Sequence, residues 1–187
     1  KVIACYLNGY SDIKLHSDQG FSENQMKLLS EISKRLYLRI IEADEKLVHL
    51  QSFVDLSRVP LDSSLRRMAN LSLTMYRDSI KAVIDGNAEL ASTVISQDDE
   101  VDNFSFLLLR LLRSIARNVS LAAYLGLELI DCFDYQSIIH RLEHIADNAV
   151  NISNSALVLC NGNRRLPNKL RERILDVGME VHGLCEE

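Results

Sequence analysis

The sequence predicts an α+β protein: a small N-terminal α/β unit of order ββαββ over residues 1–58, then an antiparallel helical bundle over 59–187. Up to Phe53, short apolar or alternating runs are separated by turn residues, the pattern of strands around one helix. Beyond Pro60, apolar residues recur at spacings of four and three, the seam of packed helices. Proline occurs only at Pro60 and Pro167, which suits long helices, because an interior proline removes a backbone donor and clashes with the preceding turn.

In the first unit, the apolar run Val2 to Leu7 reads as a strand, and Asn8-Gly9 as a turn that needs positive φ. Asp12 to His16 alternates polar and apolar, as a half-buried strand does. Ser22 and Gln25 have capping-box spacing, and Phe21 and Met26 are placed as a hydrophobic staple. Met26, Leu29, Ile32 and Leu36 make that helix's buried stripe. Leu38 to Glu42 and Leu47 to Phe53 read as two further strands, hinged at Ala43-Asp44-Glu45.

The first long helix is expected from about Asp62 to Asp85, with Leu65, Met68, Tyr76, Ile80 and Val83 inside, ending at Gly86-Asn87. So short a connection makes the next helix, about Ala88 to Asn118, its antiparallel neighbour. That helix has the seam Val94, Asp98, Val101, Ser105, Leu108, Leu112, Ile115, Val119. A third helix is expected from Asp134 to about Asn161-Gly162-Asn163. It carries the seam Ile138, Leu142, Ile145, Ala149, Ile152, Ala156, Leu159, with a flank of Ile139, Ala146, Val150 and Leu157. A last helix after Pro167 carries Leu170, Ile174, Val177, Val181 and Leu184. Its opening echoes the one after Pro60, as if it began a second repeat.

Composition excludes several classes. The net charge is -5; residues 1–60 are balanced, so the bundle carries the whole acidic excess. An acidic surface repels phosphates, so no direct nucleic-acid contact is expected. Cys5, Cys132, Cys160 and Cys185 are scattered without a C-x-x-C pair and read as reduced thiols in a cytoplasmic protein. No run of about 18 apolar residues suggests membrane insertion, and Val2 to Leu7 is too short for a signal peptide. The chain opens on Lys1 rather than Met, the expectation for an excised fragment. Nucleophile elbow, P-loop and dinucleotide signatures are absent.

Two acidic columns interrupt the apolar seams. Asp98 and Asp102 stand one turn apart on the second helix, where like charges repel unless a cation or donor sits between them. Glu143, Asp147 and Asn151 form a column of oxygen donors beside the third helix's buried face. Carboxylates of this kind suit a hard cation. Alternatively, Asp98-Asp99-Glu100 is a solvated acidic turn, and Arg110, Arg113, Arg117 and Arg141 serve as counter-ions. His140 and His144 flank Glu143, but Ala146 stands where a di-iron bundle would place its histidine, so they read as surface residues.

The segment from Ile139 to Ile152, IHRLEHIADNAVNI, closely resembles the "LERIGDHAVNI"-type segment of PhoU proteins, the phosphate-uptake regulators. Val94 to Asp102, VISQDDEVD, is similar to the "VIxxDxxVD" segment of the preceding helix, and the turn around Asp85-Gly86-Asn87 also fits. The resemblance covers about Leu61 to Leu159. The layout resembles the chiefly archaeal branch in which an α/β segment, often preceded by an AbrB-like DNA-binding domain, joins PhoU repeats. It implies one three-helix repeat to about residue 162, with the last helix opening a second. It implies phosphate-responsive regulation, by docking on a phosphate transporter or sensor kinase or through a fused transcriptional domain. It further implies a divalent, iron- or zinc-type ion at the family's E/D-x-x-x-D motifs. Glu143 and Asp147 match one motif; on the second helix the usual pair falls at Ser105 and Leu109, which leaves Asp98 and Asp102 upstream.

The leading expectation is therefore a non-enzymatic regulator that acts by binding a partner. Apolar flanks such as Leu157 and Leu184 left without cover predict a homodimer. Two alternatives are a metal-dependent enzyme on the same carboxylate-lined bundle and a purely structural dimerisation module.

Overall fold

The computed structural model describes residues 1–162 and 166–186, with the side chains at 182 and 184–186 outside the description. In order, its elements are α1 (Val2–Leu7), β1 (Asp12–His16), α2 (Glu23–Arg35), β2 (Leu38–Ala43), β3 (Leu47–Ser52), a 3-10 turn (Leu56–Arg58), α3 (Leu61–Asp85), α4 (Ala88–Arg117), α5 (Val119–Leu125), α6 (Leu129–Asn161) and α7 (Asn168–Glu186). They form two compact units: residues 1–64 with 103–137, and residues 65–102 with 138–187.

The first unit holds a three-stranded antiparallel sheet of order β1–β3–β2. Ile13 pairs with Leu50 and Leu15 with Val48, which puts the apolar residues of both strands on one face. The helix before β2 is capped as its sequence predicts. The Ser22 hydroxyl accepts from the Gln25 amide at 3.3 Å, and the Ser22 amide donates to Gln25 Oε1 at 2.8 Å. Val2, Tyr6, Ile13, Leu29, Leu36, Leu38, Val48 and Leu50 form the core, with Phe21, Met26, Ile32 and Phe106 packed against it.

The first element corrects the expected order ββαββ to αβαββ: Val2 to Leu7 is helical, not a strand. Every position of that run is apolar, so the sequence carries no period with which to separate strand from helix. The structure buries Val2 and Tyr6, one helical turn apart, and leaves Ile3 exposed. Gly9 closes the helix at φ +87°.

Tyr6 is fully buried, and its hydroxyl has no hydrogen-bond partner among the described residues. Burial pushes its pKa up to about 12, against a smaller downward pull from the Arg110 guanidinium. An unfolded tyrosine ionises near pH 10. Between pH 10 and 12 the unfolded chain therefore loses this proton while the folded chain keeps it, so stability falls as pH rises. The loss amounts to about 2 kcal/mol by pH 12. Tyr6→Phe should be near neutral at pH 7, because the hydroxyl has no partner to lose, and should remove this part of the alkaline loss. Urea unfolding of both proteins at pH 8 and pH 11 checks it; an equal alkaline loss in the variant would refute it.

In the second unit, α3 ends at Gly86, with φ +64°, and the Asn87 side chain caps α4 by accepting from the Leu90 amide at 3.0 Å. Arg67 on α3 meets Glu100 on α4 at 2.6 Å. Both are well exposed, so the pair contributes about 0.2–1 kcal/mol. Ala82, Ala91 and Ala156, all fully buried, bring α3, α4 and α6 together, with Leu157 packed against them. Leu157 is thus half-buried rather than an open flank; Val158 beside it is the exposed one. The Leu184 side chain, like Asn163 and the Cys185 side chain, lies outside the described residues.

The seam expected on α4 holds from Val94 to Ile115 but not at Val119, which is 83% exposed. Asn118 breaks the helix there and caps α5, accepting from the Ser120 and Leu121 amides. The next long helix begins at Leu129 rather than near Asp134, with Asp131 Oδ2 accepting from the Glu128 amide at 2.7 Å. On α6 the buried line runs Ile139, Leu142, Ala146, Ala149, Ser153, Ala156, between the two expected stripes, and Ile138 is exposed. Among the described residues, no helix is long and apolar enough to cross a membrane.

Candidate docking and metal site

The four carboxylates singled out in the sequence all belong to the second unit. Asp98 and Asp102 are half-buried, one turn apart on α4. On α6, Glu143 is half-buried with Oε2 3.4 Å from His140 Nδ1, and Asp147 is exposed with Oδ2 3.9 Å from His144 Nδ1. Each histidine thus stands one turn before a carboxylate on the same helix, as a surface partner. Among the described residues, no group of three or more His, Cys, Asp or Glu side chains is placed to hold a metal ion. A resident zinc takes three or four protein ligands; these carboxylates are arranged as pairs along separate helices.

The arginines expected to balance those acids mostly serve another purpose. Arg110, on the far half of α4, is 1% exposed. Its guanidinium donates to the carbonyls of Tyr6 at 2.8 Å and Tyr10 at 2.9 Å and to Ser11 Oγ at 3.2 Å. It also lies 4.3 Å over the Tyr6 ring. Arg113 reaches Asn8 Oδ1 and Arg117 reaches the Asn8 carbonyl. The three arginines, at i, i+3 and i+7, share one helix face and grip the turn that follows α1. Burial lowers the Arg110 pKa from its ordinary value, opposed by the nearby Tyr6.

An apolar groove of about 690 Å³ lies between α3 and α7 in the second unit, lined by Tyr76, Ile80, Ile84, Leu175 and Met179. Gly178 makes the contact between the helices: a Cβ there would sit 3.2 Å from Ile80 Cγ2. The stripe expected to be buried on α7 is instead largely open, with Leu170, Val177 and Val181 exposed. The helix turns Ile174 and Gly178 inward.

Comparison with family models decides what this bundle is. Residues 65–156 match the model of the PhoU domain. The chain carries a PhoU domain over these residues. The match runs from α3 to α6 and takes in both acidic pairs, while α1 to β3 and α7 lie outside it. No curated protein and no solved structure matches the chain. The PhoU domain points to a regulatory part in phosphate uptake.

Proposed function

We propose that this protein is a regulator of phosphate uptake that works by docking on a phosphate transporter or sensor-kinase component, without catalysing a reaction. The match of the PhoU domain over residues 65–156 carries the reading. The groove between α3 and α7 supports it as the docking face: it is open, apolar, and edged by Arg77, Lys81 and Asp85, which suits an amphipathic helix of a partner. α7 is read as the opening of a second repeat, its exposed apolar residues supplying the surface that such a partner covers. A preceding DNA-binding domain would couple the same docking to transcription. Since no three potential ligands converge among the described residues, no step of this mechanism runs through a metal ion.

The test uses cells that lack the gene and grow in phosphate-rich medium. Phosphate uptake should escape repression and return to normal with the wild-type gene. Leu175→Asp/Met179→Asp places two charges in the groove at exposed positions, so the fold should hold while restoration fails. Unchanged uptake in the deletion strain would sink the regulatory reading. Full restoration by the double variant would sink the groove as the docking face.

A further inference from the structure

Strand β2 lies at one edge of the sheet, and β3 is its only strand partner among the described residues. Five of its six residues are exposed, with Ile40 at 38% and Ile41 at 50%. A sheet edge presents unpaired N–H and C=O groups, and proteins normally blunt it with lysine, proline, a bulge or a covering segment. This strand, Leu38-Arg39-Ile40-Ile41-Glu42-Ala43, contains neither lysine nor proline.

The strand is also complementary to itself. In a regular strand Arg39 and Glu42, three positions apart, would point to opposite faces. A bulge changes that. Ile40 pairs with Leu50 and Glu42 with His49, so Ile41 is the extra residue. Arg39 opposite Gln51 and Glu42 opposite His49 therefore share one face, while Leu38, Ile40 and Ala43 share the other. Bulges bend an edge; this one brings two opposite charges into phase.

We propose that β2 is a homodimerisation edge, on which a second copy of this chain pairs its own β2 antiparallel, joining the two sheets into one. The two-fold axis passes at Ile40, which faces its counterpart. Arg39 then lies opposite Glu42 of the second copy twice over, and Leu38 opposite Ala43. Ladder hydrogen bonds hold the strands, and the two cross-strand charge pairs set the register. Sliding by two positions would oppose Arg39 with Arg39 or Glu42 with Glu42, so wrong registers are disfavoured. The contact is isologous and closes at two copies. It does not depend on the docking role of the groove.

The test uses the full chain. Directly opposed residues of an antiparallel pair have Cα atoms about 4.5–5.5 Å apart, within disulfide reach. Ile40→Cys should therefore cross-link on mild oxidation, whereas Glu45→Cys, in the exposed turn beyond the strand, and the wild type with its own cysteines should not. By sedimentation equilibrium the wild type should dimerise. Arg39→Glu should weaken the dimer by roughly thirtyfold, since both pairs turn from attraction to repulsion, and Arg39→Glu/Glu42→Arg should recover it. Far-UV circular dichroism confirms that these surface variants stay folded. A monomeric wild type, failure of Ile40→Cys to cross-link, an unchanged dimer in the single variant, or no recovery in the double variant would each overturn the proposal.

Discussion

Replacing Arg110 with Ala should destabilise the N-terminal unit by about 3–5 kcal/mol. The side chain is almost wholly buried, and its described partners are two backbone carbonyls, a hydroxyl and the face of Tyr6 rather than a carboxylate. Removing it leaves the Tyr6 and Tyr10 carbonyls without these donors and opens a cavity against the Tyr6 ring. Each hydrogen bond to a charged group contributes about 1.5–3 kcal/mol, and the lost packing adds to that. Arg110→Lys should recover only part, because one ammonium cannot reproduce a planar fork reaching three acceptors. Arg113→Ala is the contrast: exposed, with a single 3.4 Å contact to Asn8, it should cost less than about 1 kcal/mol. Urea unfolding followed by tyrosine near-UV circular dichroism ranks the three variants. A value for Arg110→Ala within about 1 kcal/mol of the Arg113→Ala result would mean that the arginine is held by the fold rather than holding it.

That role was not legible in the sequence, and the reason is physical. Arg110 sits in an apolar stretch of α4, where the nearest explanation for a cation is an acid on a neighbouring helix. Its actual partners are carbonyls about a hundred residues earlier, and a backbone carbonyl leaves no mark in the composition. Other features were legible because their causes are local. The Ser22–Gln25 box, the Gly86-Asn87 stop and the α4 seam each follow from spacing within one or two turns. Where local causes compete, the sequence is ambiguous. Val2 to Leu7 has no polar residue to reveal a period. Asn118 and Gly126 bound a helix of only 7 residues, too short to show periodicity. The buried line of α6 includes Ser153, a polar residue that pattern reading places outside. The PhoU likeness rests on local motifs and is matched at the domain level. The acidic pairs that came with it are present on α4 and α6, but nothing local in either motif fixes whether they converge.

The meeting of three helices at alanines gives the second large effect. Ala82 on α3, Ala91 on α4 and Ala156 on α6 are each fully buried in one cluster. With no side-chain atom beyond Cβ, they let three backbones approach closely, just where α3 turns into α4 through two residues. So short a connection leaves α3 and α4 little room to separate. Ala91→Leu inserts three carbon atoms into this cluster and should cost about 1–3 kcal/mol through displaced helices and strained rotamers. For a chain of this size that is a fall in melting temperature of roughly 2–12 °C. Ala116→Leu, at an exposed position of the same helix, controls for helix propensity, where leucine and alanine differ by only a few tenths of a kcal/mol. If both variants melt with the wild type, the cluster has space that the structure does not show, and close approach at the alanines does not hold the bundle. If Ala91→Leu alone melts early, the helices that carry Asp98 and Glu143 owe their spacing to three methyl groups, and moving a carboxylate pair requires moving that contact.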